Sequence, residues 1–143
     1  MGGRRLWGVT PRQSVEAACH DHGIGTVVAA CVTLLHGGEA DPALIAALAG
    51  PRAPQFLDAP PEQRYWLRVW GARGLMWAPW DASATAAILV ALGDEHWRVR
   101  EMAAKVTARH RLTVAQESLA ALLTDENERV RAAAARALRL LTG

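Results

Sequence analysis

The strongest constraint on what this 143-residue chain can fold into is a segment that returns. "DEHWRVREMAAKV" at 94–106 comes back as "DENERVRAAAARA" at 125–137, and Asp94, Glu95, Arg98, Val99, Arg100, Ala103 and Ala104 each have an identical residue thirty-one positions on. The period reaches upstream, since "AILVALGDE" at 87–95 corresponds to "SLAALLTDE" at 118–126. The unit is an apolar helix, a tight turn holding Asp-Glu, and a second helix beginning x-x-Arg-Val-Arg. A diverged copy stands at an offset of thirty-two: Leu67 against Val99, Arg68 against Arg100, Gly71 and Ala72 against Ala103 and Ala104, Arg73 against Lys105. "LIAAL" at 44–48 is the expected leading helix of that copy. Self-similarity of this kind marks stacked units, none of which buries its apolar face alone.

Helix grammar fills the rest of the chain, and no alternating strand pattern appears. "TPRQ" at 10–13 forms a capping box with Pro11 in the first turn, and this helix should stop at His22-Gly23. A second helix is predicted from about Thr26 to His36, stopped by Gly37, and a third from Asp41 to Gly50. Four prolines make 50–61 a loop. One helix follows over "EQRYWLRVWGARGLMW", closed at Ala78-Pro79, and another starts at Asp81 or Ser83 and ends near Gly93. Asp94, Thr113 and Asp125 are the expected openers of the last three. About eight helices joined by short links make an all-α chain.

These repeats resemble HEAT repeats, particularly the short bacterial variety called HEAT-like or PBS-lyase-like. The residues that carry the likeness are Asp94 and Asp125 in the turn, Val99-Arg100 and Val130-Arg131, and the Ala pairs at 103–104 and 134–135. The resemblance implies a short right-handed α-solenoid of about three to four helix pairs. It would form one domain over 1–143, with 1–40 a non-repetitive helical cap, 41–80 a divergent repeat and 81–143 clear repeats. It also implies that Arg68, Arg100 and Arg131 form a ladder with the turn aspartates, so these arginines are assigned to structure rather than to a ligand.

Bulk properties exclude several classes of function. A hydrophobic fraction of 51% with 21% charged residues suits one folded domain. Net charge is only +2, so a nucleic-acid partner would need local clustering. Lys105 is the single lysine, and with so much alanine this fits a GC-rich genome. The opening "MGGRRLWGVTPRQ" lacks an apolar stretch behind its arginines, so no secretory leader is expected. The most apolar run, 24–35, falls short of the roughly 20 residues that a membrane span needs. Cys19 and Cys31 are expected to be reduced, in the cytoplasm.

At 100° per residue, Val99, Ala103, Val106 and His110 form one stripe of their helix, read as core. Arg98, Met102, Lys105 and Arg109 form another, about 90° away, read as the working face. Its counterparts are Arg129, Ala133, Arg136 and Leu140 in the last repeat, and Trp66, Trp70, Arg73 and Trp77 in the earlier copy. In the resembled family this second helix of each pair lines the concave side. Two placements of Trp66, Trp70 and Trp77 stay open: covered by the N-terminal helices, or lining an aromatic groove. Trp97 has counterparts Tyr65 and Glu128, so it is either an exposed ridge residue or local packing over the Trp80 turn.

Reaction machinery is scarce. In "CHDH" at 19–22 only Cys19 and His22 share a helix face, and no motif sets Ser or Cys beside a base. HEAT-like alkylpurine DNA glycosylases invite comparison through "WAPWD" at 77–81, but no full catalytic set matches, and bilin-lyase activity is not carried over. The expectation is a non-enzymatic interaction scaffold without cofactor or metal. Its partner-binding residues are Tyr65, Trp97, Arg98, Met102, Lys105, Arg109, Arg129 and Arg136. The expected partner is a protein, and the alternative is nucleic acid on the Arg/Lys stripe.

Overall fold

The computed structural model describes residues 10–49 and 60–143. The expected proline loop at 50–61 therefore lies almost wholly outside the described residues, as does the N-terminal "MGGRRLWGV". Eight α-helices and no strand occur among the described residues. They are α1 (Pro11–His22), α2 (Ile24–Leu35), α3 (Pro42–Ala49), α4 (Tyr65–Trp77), α5 (Thr85–Ala91), α6 (Trp97–His110), α7 (Gln116–Ala121) and α8 (Glu128–Thr142). None is long and apolar enough to cross a membrane.

The helices stack as a short solenoid. α5 packs on α6 and α7 on α8, while the second helices α4, α6 and α8 lie side by side as one wall. The repeat alanines make this possible: Val99, Ala103, Ala104 and Val106 are fully buried, as are Val130, Ala134 and Ala137. Ala135, expected to match Ala104, is only half-buried. Among the described residues no helix stacks on that side of α8.

The main neighbour of α4 is α2, not the expected leading helix at 44–48, which as α3 packs chiefly on α1. Two glycines explain the choice. A Cβ on Gly71 would stand 2.8 Å from the Cys31 carbonyl oxygen and 3.1 Å from Leu34 Cβ, and one on Gly74 would collide with Cys31 Sγ. The α4 backbone thus rests on α2 at a distance that side chains would forbid.

Helix ends follow the sequence in part. Thr10 accepts from the Gln13 N–H at 3.1 Å while Gln13 Oε1 accepts from the Thr10 N–H at 2.9 Å, completing the box. Gly23 and Gly37 take φ of 90° and 78°, the left-handed stops that were expected. The acidic openers need correction. His96, not Asp94, caps α6 by accepting the Arg98 N–H at Nδ1, 3.2 Å. Asn127, not Asp125, caps α8 at 2.9 Å. Thr113 caps nothing, because it lies inside a 3₁₀ turn, Thr113–Ala115, that precedes α7.

Asp94 and Asp125 are needed two residues earlier, where each does two things. Asp94 Oδ1 accepts the His96 N–H at 2.8 Å, and its carboxylate takes Arg68 at 2.8 and 3.2 Å. Asp125 Oδ1 accepts the Asn127 N–H at 2.9 Å and the same carboxylate takes Arg100 at 2.9 and 3.2 Å. Arg100 also donates to the Asp94 carbonyl at 2.8 Å, and Arg131 to the Asp125 carbonyl at 2.6 Å. The expected ladder is therefore present for Arg68 and Arg100, each tied to the next repeat's turn, whereas Arg131 reaches only the carbonyl of its own repeat's turn. The Arg100–Asp125 side chains are only 11% and 9% exposed. A bidentate pair so placed fixes register more than it adds net stability, yet removing one partner strands a buried charge.

Candidate functional site

The wall of α4, α6 and α8 has two chemically distinct ends. At the N-terminal turns the side chains form a continuous stack. Tyr65 lies parallel to His96, with ring centroids 3.5 Å apart and planes 7° apart. His96 neighbours Trp97 at 6.1 Å. The Arg98 guanidinium serves two indoles, 5.0 Å from Trp66 and 4.5 Å from Trp97, and Arg129 stands 5.4 Å from Trp97. Such contacts are worth about 0.5–1 kcal/mol each where exposed and more where dry. Desolvation by burial, then the Arg98 charge, hold the His96 imidazole below its ordinary pKa. That keeps Nδ1 free to accept the capping hydrogen bond.

Glu101 marks the boundary between the ends. It is 8% exposed and accepts Arg129 Nε at 3.0 Å, with Lys105 Nζ at 3.8 Å from the same oxygen. The expected cationic stripe is thus interrupted by a buried carboxylate that engages two of its members.

At the C-terminal turns a hollow of about 550 Å³ opens between the three helices. Met76, Trp77, Ala108, Ala133 and Leu140 give it apolar walls, and Lys105, Arg109, Arg111 and Arg136 give it charge. No carboxylate lines it among the described residues. Arg109 stands 5.0 Å from the Trp77 ring centre, which Arg12 also approaches at 5.3 Å. Arg111 adopts a left-handed backbone (φ 51°), uncommon for a residue with a side chain, and its Nη1 donates to the Leu140 carbonyl at 2.9 Å. It bridges the ends of α6 and α8. Arg136 makes no hydrogen bond or ion pair among the described residues.

The structure thereby sorts the expected binding residues. Tyr65, Trp97, Arg98 and Arg129 meet at the N-terminal end, while Lys105, Arg109 and Arg136 meet in the hollow. Met102 is half-buried between them. Trp97 stacks with arginine rather than lying over Trp80, whose ring is 4.9 Å from His110. Trp70 is buried, whereas Trp66 and Trp77 are half-buried and carry guanidiniums. Residue-by-residue reading missed three participants: His96, Glu101 and Arg111. Glu101 was recoverable, since it sits three residues after Arg98 and four before Lys105, within helical pairing distance. Arg111 left no local signal, because its role depends on reaching a neighbouring helix.

Elsewhere, the groups considered for chemistry are spent. Burial pushes the Cys31 thiol up to about 12, with Cys19 adding to the shift, so the reactive thiolate is suppressed. Burial, and then the Glu16 charge, also raise Cys19. His20 pairs with Asp21 at 3.3 Å in solvent, and no three His, Cys, Asp or Glu stand together to hold a metal among the described residues.

No curated protein and no solved structure matches the chain. The family model for HEAT repeats matches residues 55–139, more than half of the sequence and the second-helix wall as far as Arg139. HEAT repeats are commonly protein-interaction scaffolds. With the 31-residue period, the Arg–Asp ladder and this match in agreement, the chain belongs to the HEAT-repeat family.

Proposed function

We propose that the chain is a non-enzymatic scaffold whose second-helix wall, the concave side of the solenoid, receives a protein partner. The observation that carries this reading is the concentration of aromatic and cationic side chains on one wall built by three successive repeats. Aromatic and arginine side chains held rigidly side by side are the usual anchors of protein interfaces. Tyr65, Trp97, Arg98, Met102, Lys105, Arg109, Arg129 and Arg136 are the contact residues in this reading. The free thiols of Cys19 and Cys31 fit a reducing compartment such as the cytoplasm.

Nucleic acid is the weaker alternative. Single-stranded chains need aromatic faces on which bases stack. Here Trp66, Trp77 and Trp97 each already carry at least one guanidinium, and Tyr65 carries an imidazole. Glu101 adds a carboxylate in the middle of the cation stripe.

Photo-crosslinking tests the reading. A crosslinker in place of Met102, compared with one at Val90, which is 63% exposed elsewhere, should capture a defined protein from extracts of the source cell. The Trp97→Ala, Arg98→Ala double variant should lose that adduct while keeping its helical circular dichroism. Equal adducts from both positions, or an adduct indifferent to the double variant, would remove the wall from consideration. Salt-sensitive retention of single-stranded DNA would favour the alternative.

A further inference from the structure

We propose that the hollow at the C-terminal turns of α4, α6 and α8 is a docking pocket for an acidic amphipathic helix, which inserts one large apolar side chain between two carboxylates. The proposal rests on the protein-scaffold reading and adds the chemistry of the partner. At about 550 Å³ the hollow falls within the range of specific ligand sites. Of the nine described residues that line it, five are apolar and four are cations, with no acid among them.

The cations of the hollow are under-used, in contrast to those at the other end of the wall. Lys105 shares at 3.8 Å a carboxylate that Arg129 already holds at 3.0 Å. Arg109 is satisfied on one side only by the Trp77 ring. Arg111 places one N–H on a carbonyl, out of the five that a guanidinium offers. Arg136 has nothing. Four like charges around an apolar floor repel one another, and an anionic partner with an apolar side chain relieves both conditions.

The spacing selects a helix. Lys105 and Arg136 occupy the same position in successive repeats, and Arg73, whose buried Nε has no hydrogen-bond partner among the described residues, occupies it in the repeat before. Neighbouring packed helices lie roughly 8–10 Å apart. On a helix laid across the wall, residues i and i+7 share a face and stand about 10.5 Å apart. Acids at these two positions would meet Lys105 and Arg136, with the apolar residue at i+3 falling between α6 and α8, over the apolar floor of the hollow. The pattern is acid-x-x-apolar-x-x-x-acid.

The test uses fluorescence anisotropy with the whole chain and an alanine-based helical peptide carrying Glu-x-x-Phe-x-x-x-Glu. Saturable binding is expected. It should weaken roughly tenfold when one glutamate becomes Gln or when Phe becomes Ala, the scale of one charge-assisted or apolar contact, and further when both glutamates become Gln. Arg136→Ala should weaken it about as much, Ala133→Glu should abolish it, and Val90→Ala, on an exposed face of α5 away from the wall, should leave it unchanged. Circular dichroism shows whether each variant is folded, and Arg136→Ala, altering an exposed side chain, keeps the test valid if Ala133→Glu is not. Equal binding of the Gln peptide, tighter binding of a labelled single-stranded oligonucleotide, or indifference to both hollow variants would overturn the proposal. Absence of peptide binding while the Met102 crosslink persists overturns the pocket chemistry alone. Loss of both overturns the scaffold reading as well.

Discussion

The two ends of the α4–α6–α8 wall are built by the same three helices from similar residues, yet they hold their charge differently. Near the N-terminal turns, Arg98 and Arg129 are committed to indole faces and to Glu101. Near the C-terminal turns, Lys105, Arg109, Arg111 and Arg136 surround an apolar hollow that no acid lines among the described residues. A stripe of arginines in a sequence is therefore not a uniform surface. Whether each cation is available depends on what stands one repeat away and one turn along, and here a single buried carboxylate divides the stripe.

The comparison can be broken or sharpened by substitution. The largest effect is expected from Asp125→Ala, because both ends depend on the same register. It strands Arg100, and the loss should be about 3–5 kcal/mol in urea unfolding. Both ends should loosen together, so a variant that disturbs only one would show that the ladder is not what aligns them. Glu101→Gln comes next. It should cost about 1–3 kcal/mol and release Arg129 and Lys105, converting the committed end into an available one. Later elution from a heparin column would register the change, and unchanged elution would mean that Glu101 is not the divider.

A smaller effect follows pH. Burial and the Arg98 charge depress the His96 pKa, so the neutral ring and its cap are favoured in the folded state. That contribution is fully present above the unfolded value of about 6.5 and is lost as pH falls through the lower folded value. The helix cap involved is worth about 1 kcal/mol. Thermal melts from neutral to mildly acidic pH should show the loss, and His96→Asn, which copies the Asn127 cap one repeat later, should remove its histidine component. Burial alone would raise Asp125, but hydrogen bonds from Arg100 and the Asn127 N–H outweigh it and hold that carboxyl low. Its contribution fails only in stronger acid. The smallest effect belongs to Arg136→Ala, expected within about 0.5 kcal/mol of the parent protein because that side chain is exposed and bonds to nothing described.

Repetition made the fold legible. Val99 and Val130, the alanines beneath them, and the Arg68–Asp94 and Arg100–Asp125 rungs are all readable because the same environment is written more than once. Legibility stopped where one position had two competing uses. Aspartate is a good cap by propensity, but the ladder claims Asp94 and Asp125, and His96 and Asn127 take over the caps. The pairing of α4 with α2 was hidden for another reason. A glycine contact has no periodicity, and Gly71 and Gly74 look like weak alanines until the Cys31 carbonyl opposite one and the Cys31 side chain opposite the other are seen. The working face was found as a helical stripe, but its division was not, because Glu101 interacts across repeats as well as along its own helix.

The two glycines of α4 bear on the order of assembly. Each costs that helix about 1 kcal/mol relative to alanine, so α4 is a poor helix until α2 is present to receive its backbone. Yet α4 supplies Tyr65, Trp66, Met76 and Trp77 to the wall. During synthesis, which proceeds from the N-terminus, α2 leaves the ribosome first and can template α4 before the alanine-rich α6 and α8 arrive to dock upon it.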